Sequence, residues 1–245
     1  PAVLKNRDFI VGAIFGFILN FTMWGYVGLI PPILQKHLGY PPMDAGVLMT
    51  SRGIGTMIAA FCCGLLLQRF NPRPILFLGM LSLALSSWML SELSRETGPL
   101  PIMLAILVQG FGLGFMSTAA VTAAFQNIPA SLRPDASVIL SLIRRIASSI
   151  GVSVLFLLLV RSTQTARQSL SENASLYNER LKHSFLPESW DLEDAAGLSN
   201  FEEVIDAEAQ FIAYIHDFTI MMFAVIALMP LLLLLRSPTN KESRD

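Results

Sequence analysis

The sequence predicts an all-α transmembrane protein, and three observations carry that prediction. Hydrophobic residues make up 53% of the 245-residue chain and charged residues only 14%, about half the charge of a soluble domain. Long apolar stretches recur six times, and mean hydropathy is +0.57. No alternation over about ten residues, the mark of an outer-membrane barrel, repeats along the chain. So few polar residues cannot coat a compact core in water. A formal charge of −1 leaves no basic excess to displace counterions, which excludes a nucleic-acid binder that works by phosphate neutralisation. Cys62 and Cys63 are adjacent and make no disulfide framework; they read as small packing residues.

The spans are expected at about 9–34, 45–67, 75–93, 99–126, 136–160 and 212–235. Each holds about 19 residues or more, which at ~1.5 Å per residue crosses a hydrocarbon core of ~30 Å. The first follows Lys5 and Arg7 as a signal peptide would. It is too long for a cleaved leader, however, and ends in Gly28-Leu-Ile-Pro-Pro32 rather than a small-residue cleavage site. Asn20, Met23 and Trp24 share one face of it at helical spacing. An amide, a thioether and an indole together suit a pocket for flat, apolar or cationic molecules. The competing reading is a packing Asn20 with lipid-facing neighbours.

Span two carries a stripe of small residues, Gly46, Gly53, Ala60 and Gly64. Arg52 lies off that stripe, ~10 Å from the exterior end at helical rise. Three roles are open for it: snorkelling outward, pairing across a helix interface, or touching substrate. Span four reads Gln109-Gly-Phe-Gly-Leu-Gly-Phe115. This is no nucleotide fingerprint, because it lies inside an apolar helix and not after a strand. Gly110 and Gly114 instead form a small-xxx-small seam that admits a neighbouring backbone. Phe111 and Phe115 share a second face, and Gln109, Leu113 and Met116 a third. Arg144 and Arg145 fall some eight residues into span five and are expected near its interfacial end.

Orientation follows from the 17 Lys and Arg residues. In the short segments ten, including Arg69, Arg73, Arg133, Arg144 and Arg145, fall on one side, against Lys36 and Arg95 on the other. Basic short loops stay in the cytoplasm, so both ends of the chain are expected there, in a bacterial inner membrane. Residues 161–211 are expected to form a long acidic periplasmic loop with helical shoulders and a break at Pro187-Glu-Ser-Trp190. Residues 236–245 follow as a cytoplasmic tail. Asp44, Glu92 and Asp217 lie near exterior ends of spans, and His216 with Asp217 reads as a pair of interfacial anchors opening a helix. Asp217→Asn is therefore expected to leave any proton coupling intact. His37 and His183 fall in exterior loops with no metal-ligand spacing around them. No HExxH, GxSxG, P-loop or CxxC occurs, so neither an enzyme nor a cofactor or metal site is expected.

Several motifs resemble one family. Asn6-Arg-Asp-Phe9, Gly39-Tyr-Pro-Pro-Met-Asp-Ala-Gly46, Ser51-Arg-Gly-Ile-Gly55 and Gln109-Gly-Phe-Gly-Leu-Gly114 are four of them. Arg133-Pro-Asp-Ala-Ser137, Arg144-Arg-Ile-Ala-Ser-Ser-Ile-Gly151 and His216-Asp-Phe218 through Pro230 to Arg236 complete the set. In this order they resemble the major facilitator superfamily drug:proton antiporters of the fourteen-span EmrB/QacA type, over nearly the whole chain.

The resemblance implies a carboxy-terminal half, a six-helix bundle of two inverted three-helix repeats with substrate held between two halves. A start at Pro1 without methionine fits a fragment or trimmed domain. Spans one and four would line the cavity, making Asn20, Met23, Trp24, Gln109, Phe111 and Phe115 its candidate contacts. Spans two and five would face the amino-terminal half, with Gly46, Arg52, Gly53, Gly64, Arg144 and Arg145 at that interface. Gly64-Leu-Leu-Leu-Gln-Arg-Phe-Asn-Pro-Arg73 resembles the superfamily's gating loop, with Gln68 in place of an acid and Asn71 in place of a glycine. Arg69 and Arg73 there are expected to bind carboxylates, helix C-termini or lipid phosphates. The implied partners are the amino-terminal half, membrane lipids, small apolar or cationic drugs, protons and a periplasmic adaptor protein, with the coupling acid in the other half. Two alternatives stand beside multidrug efflux: an exporter of a siderophore, fatty acid or metabolite, and a non-transporting membrane assembly or docking subunit.

Overall fold

A computed structural model describes residues 7–125, 128–173 and 195–234. Lys5, Asn6, the Pro187–Trp190 break and the tail 236–245 lie outside the described residues. The described elements are α1 (Arg7–Pro32), α2 (Pro42–Leu66), α3 (Pro72–Ser91), α4 (Pro99–Phe125), α5 (Arg133–Asn173) and α6 (Ala195–Leu228). Short 3₁₀ turns at Ala130–Leu132 and Met229–Leu234 flank the last two. All six helices are long and apolar enough to cross a membrane.

Proline sets most of the helix starts. Pro42, Pro72 and Pro99 open α2, α3 and α4, and Pro134 is the second residue of α5. A first-turn proline loses nothing, because its missing N–H has no intrahelical acceptor there, and its fixed φ suits the helix. Proline at the other end has the opposite effect. Pro31 and Pro32 close α1, and the chain continues as a wider π turn, Ile33–His37, with Leu38 N–H bonded to the Ile33 carbonyl at 3.0 Å. Gly39 then reverses the chain at φ +70°, a conformation that favours glycine.

Two placements differ from expectation. His37 is not in a loop but buried in the π turn. The helical shoulders expected for the stretch 161–211 are present over 161–173 and 195–211, as continuations of α5 and α6. Arg167 and Asp206 pair at 2.9 Å across these continuations, which helps explain how such polar residues stay wound. His216 and Asp217 consequently lie well inside α6 rather than at its start.

Packing centres on α1 and α4. They touch each other, α2 packs on α4, α5 packs on α1, and α3 contacts both α4 and α6. Exchanging α1–α3 with α4–α6 maps the α2–α4 contact onto α5–α1. Three spans per repeat invert the second repeat in the membrane, which gives two inverted three-helix repeats. The crossings rely on missing side chains. A Cβ on Gly110 would collide with the Arg52 carbonyl oxygen, one on Gly55 with the Leu107 carbonyl oxygen, and one on Gly114 would come within 2.6 Å of Ala59 Cβ. At the α1–α5 crossing a Cβ on Gly151 would come within 2.6 Å of the Phe21 carbonyl oxygen. Polar side chains add cross-links: Tyr26 on α1 hydrogen-bonds Ser87 on α3, and Ser86 donates to the Ala105 carbonyl at 2.8 Å. The outward faces of α2, α3 and α5 are apolar, with Met57, Phe61, Leu85, Trp88, Leu142 and Val160 exposed. Such a surface is stable against lipid or another bundle, not in water.

The seam makes a stability prediction. Gly110→Val overpacks the α2–α4 crossing and is expected to destabilise the bundle by about 1–3 kcal/mol. Gly53→Ala and Gly64→Ala meet nothing within 4 Å and should leave stability unchanged or slightly raised. Thermal unfolding in detergent checks the contrast.

Candidate functional site

A cavity of about 600 Å³ opens between α1, α2 and α4. Leu19, Met23 and Val27 line it from α1, four residues apart along one face. From α2 come Met49, Arg52, Gly53, Thr56, Met57 and Ala60, and from α4 Leu113 and Ser117. The small residues of the α2–α4 seam draw those helices together and leave the gap beside α1. The walls are mostly aliphatic chains and three thioethers, a surface that adapts to varied apolar shapes.

The hydroxyls at this site are committed to backbone. Thr56 donates to the Arg52 carbonyl at 2.8 Å and lies 3.2 Å from that of Gly110, and Ser117 donates to the Gly114 carbonyl at 3.1 Å. Among the described residues of the lining, Arg52 is the only charged one. Its guanidinium has no hydrogen bond or ion pair among the described residues. Pro42 opens α2 ten residues before it, about 15 Å away at helical rise.

Of the expected cavity contacts, Met23 lines the space. Asn20 and Trp24 stand on the adjoining flank of α1, with Trp24 41% exposed and the Asn20 amide donating to the Gly16 carbonyl at 2.8 Å. Gln109, Phe111 and Phe115 are not in the lining. Gly110 and Gly114 turn towards α2, which brings Leu113 and Ser117 to the gap. At ~100° per residue, Phe111 and Phe115 then fall roughly 140° and 180° away from it. Those two rings stack on each other, centroids 6.5 Å apart. Gln109 is fully buried, with neither amide atom partnered among the described residues. It lies near the face on which Gly112 and Met116 pack against α3.

Of the expected interface residues, Gly53 borders the cavity, while Gly46 and Gly64 face open space. Arg69 and Arg145 are exposed, and Arg73 is partly buried. Arg144 lies beside Gly16 on α1, its Nε buried without a partner. Arg144 and Arg145 are eleven residues into α5, about 16 Å from its start.

A second polar cluster was not expected. His37 is 8% exposed, edge-on to Tyr214 at 5.3 Å and tilted against Phe211 at 6.2 Å. Arg95 lies over the Phe211 ring and pairs with Glu208 at 2.8 Å, joining the α3–α4 connection to α6. One turn further along α6, Asp217 is fully buried. Ser162 on α5 lies 3.4 Å from its Oδ1, and its Oδ2 has no partner among the described residues. An interfacial anchor would face water and headgroups, so that reading of Asp217 is corrected. The signal for it was the polar pair inside a hydrophobic run; its misreading came from starting the helix too late.

Known proteins place this arrangement. The chain is 24% identical to the MFS-type transporter YhcA of Bacillus subtilis over 75% of its length, covering 34% of that protein. It is also 24% identical to the colistin resistance protein EmrB of Acinetobacter baumannii, over 77% of the chain and 35% of that protein. The lincomycin resistance protein LmrB of Listeria innocua is 24% identical over 62% of the chain and 32% of its own length. The matched chain thus spans about a third of each of these relatives. Residues 12–165 match the Major Facilitator Superfamily. With six membrane-length helices in two inverted triplets around an open cavity, the chain belongs to this superfamily of multi-pass membrane transporters and is not an enzyme.

Proposed function

We propose that this chain is the carboxy-terminal half of a fourteen-span, proton-coupled multidrug exporter in a bacterial inner membrane, with both ends in the cytoplasm. One observation carries the reading: an apolar cavity opens beside an α2 face whose small residues, Gly46, Gly53 and Gly64, meet nothing within this bundle. A second half-bundle closing on that face would complete the cavity and rock against it, exposing the site to each side in turn. The match to about a third of longer relatives supports a missing amino-terminal half. Relatives named for colistin, lincomycin and multidrug resistance support drug cargo, and a periplasmic adaptor is a further partner of such a pump.

Proton coupling has support within this half as well. Asp217 is a buried acid whose second oxygen is free to take a proton, beside the Ser162 hydroxyl. The facing elements contribute Arg161 and Arg167 on α5, Glu92 and Arg95 after α3, and His37 in the π turn. On α6 itself stand Asp206, Glu208, Tyr214 and His216. None of these is hydrogen-bonded or ion-paired to Asp217.

Two measurements on the full-length protein in everted vesicles test the reading. Asp217→Asn keeps the Ser162 hydrogen bond and removes the titrating group; drug efflux driven by a proton gradient should fall to near background while drug binding persists. Unchanged coupled efflux would return the coupling to the other half alone. Met23→Ala, which removes one thioether of the lining, should weaken export of apolar drugs by about 2- to 10-fold, the scale of one side-chain contact. Unchanged export of every drug in a panel would count against a cavity beside α1.

A further inference from the structure

The cavity between α1, α2 and α4 has a polarity that its apolar walls obscure. Arg52 is its one charged liner among the described residues, ten residues inside α2, and the guanidinium is unpaired among those residues. Among the described residues, no acid and no aromatic ring lines the same space. Thr56 and Ser117 have spent their protons on backbone carbonyls, so they offer lone pairs but no hydrogen-bond donor. The donors that face a guest are therefore the guanidinium N–H groups.

A guanidinium is always charged and presents five donors in a planar fork, with no acceptor. Two parallel N–H groups match the two oxygens of a carboxylate or sulfonate. The same charge repels a cation, and repels it more strongly as water is excluded. Met23, Met49 and Met57 surround the arginine with flexible thioethers that pack on an aliphatic or irregular body.

We propose that this site selects amphipathic organic acids, with the acid head on Arg52 and the apolar body against the three methionines. This rests on the reading of the chain as half of an exporter and names its preferred cargo. It departs from apolar or cationic drugs as the main cargo and gives the alternative of a fatty-acid or metabolite exporter a residue that would select it. An anionic lipid headgroup would offer Arg52 the same chemistry, so the test separates the two sources.

The test uses two radiolabelled amphiphiles with the same twelve-carbon tail, dodecanoate and dodecyltrimethylammonium. Transport is measured in proteoliposomes of phosphatidylcholine carrying the full-length protein. Wild type should transport dodecanoate in preference to the ammonium. Arg52→Gln should lower dodecanoate transport by about 10- to 100-fold, the scale of a charge-assisted hydrogen bond, and leave or raise ammonium transport. Arg52→Lys, which keeps the charge and loses the fork, should recover part of the loss. Monodisperse elution of each variant in detergent guards against misfolding. Adding phosphatidylglycerol should change neither preference; suppression of dodecanoate transport by that lipid in wild type but not in Arg52→Gln would put a headgroup on Arg52 and overturn the proposal. Equal or greater ammonium transport by wild type, or indifference of dodecanoate to Arg52→Gln, would overturn it too. If wild type moves other drugs but not dodecanoate, only the acid preference fails; if it moves nothing, the exporter reading fails with it.

Discussion

The crossing of α2 on α4 governs where every other part of this bundle can stand. Inside a membrane there is no water to drive apolar surfaces together, so helices associate through close packing and a few polar links. Gly55, Gly110 and Gly114 let two backbones approach to a distance no side chain would permit. The Thr56 hydroxyl then reaches the Arg52 and Gly110 carbonyls from one position. With that contact made, α1 meets α4 on another face, and the wedge left between α1 and α2 becomes the cavity. The same approach commits one face of α4 to α2, which decides which of its side chains can reach a guest.

That dependence explains what could and could not be read from the amino acids. The spans were legible because composition and length alone satisfy the bilayer, and the Gly110–Gly114 seam because small residues four apart have few other uses in an apolar helix. The side of α4 that faces the gap was not legible. A helix wheel gives the angles between Gln109, Phe111 and Leu113 but not the direction of the neighbours, and aromatic content pointed to Phe111 and Phe115, which lie outside the lining. Met49 and Met57 bracket Gly53 at four-residue spacing and were available as a row, yet methionine in a span reads as lipid-facing until a partner is seen.

Buried polar residues were hardest to place, because their position depends on helix ends. Proline-opened helices begin earlier than their apolar runs, so Arg52 lies ten residues inside α2. On α6 the polar leader from Ala195 is already helical, so Asp217 lies in the middle of the element and meets Ser162. On α1 the paired prolines widen the last turn instead of ending it, and His37 is delivered to Tyr214 and Phe211. In each case a few residues of helix separate a wet side chain from a buried one.

The length of α5 has a mechanical meaning. Its 41 residues measure about 60 Å, twice the thickness of the hydrocarbon layer. Part of the surplus is strapped to α6 by Arg167 and Asp206, which makes the two rods a braced arm whose fulcrum is the tight Gly151 contact with α1. A rotation of about 5° at that pivot would carry the far end of α5, about 33 Å away at helical rise, through about 3 Å, so such an arm would magnify movements too small to disturb the packing at its base.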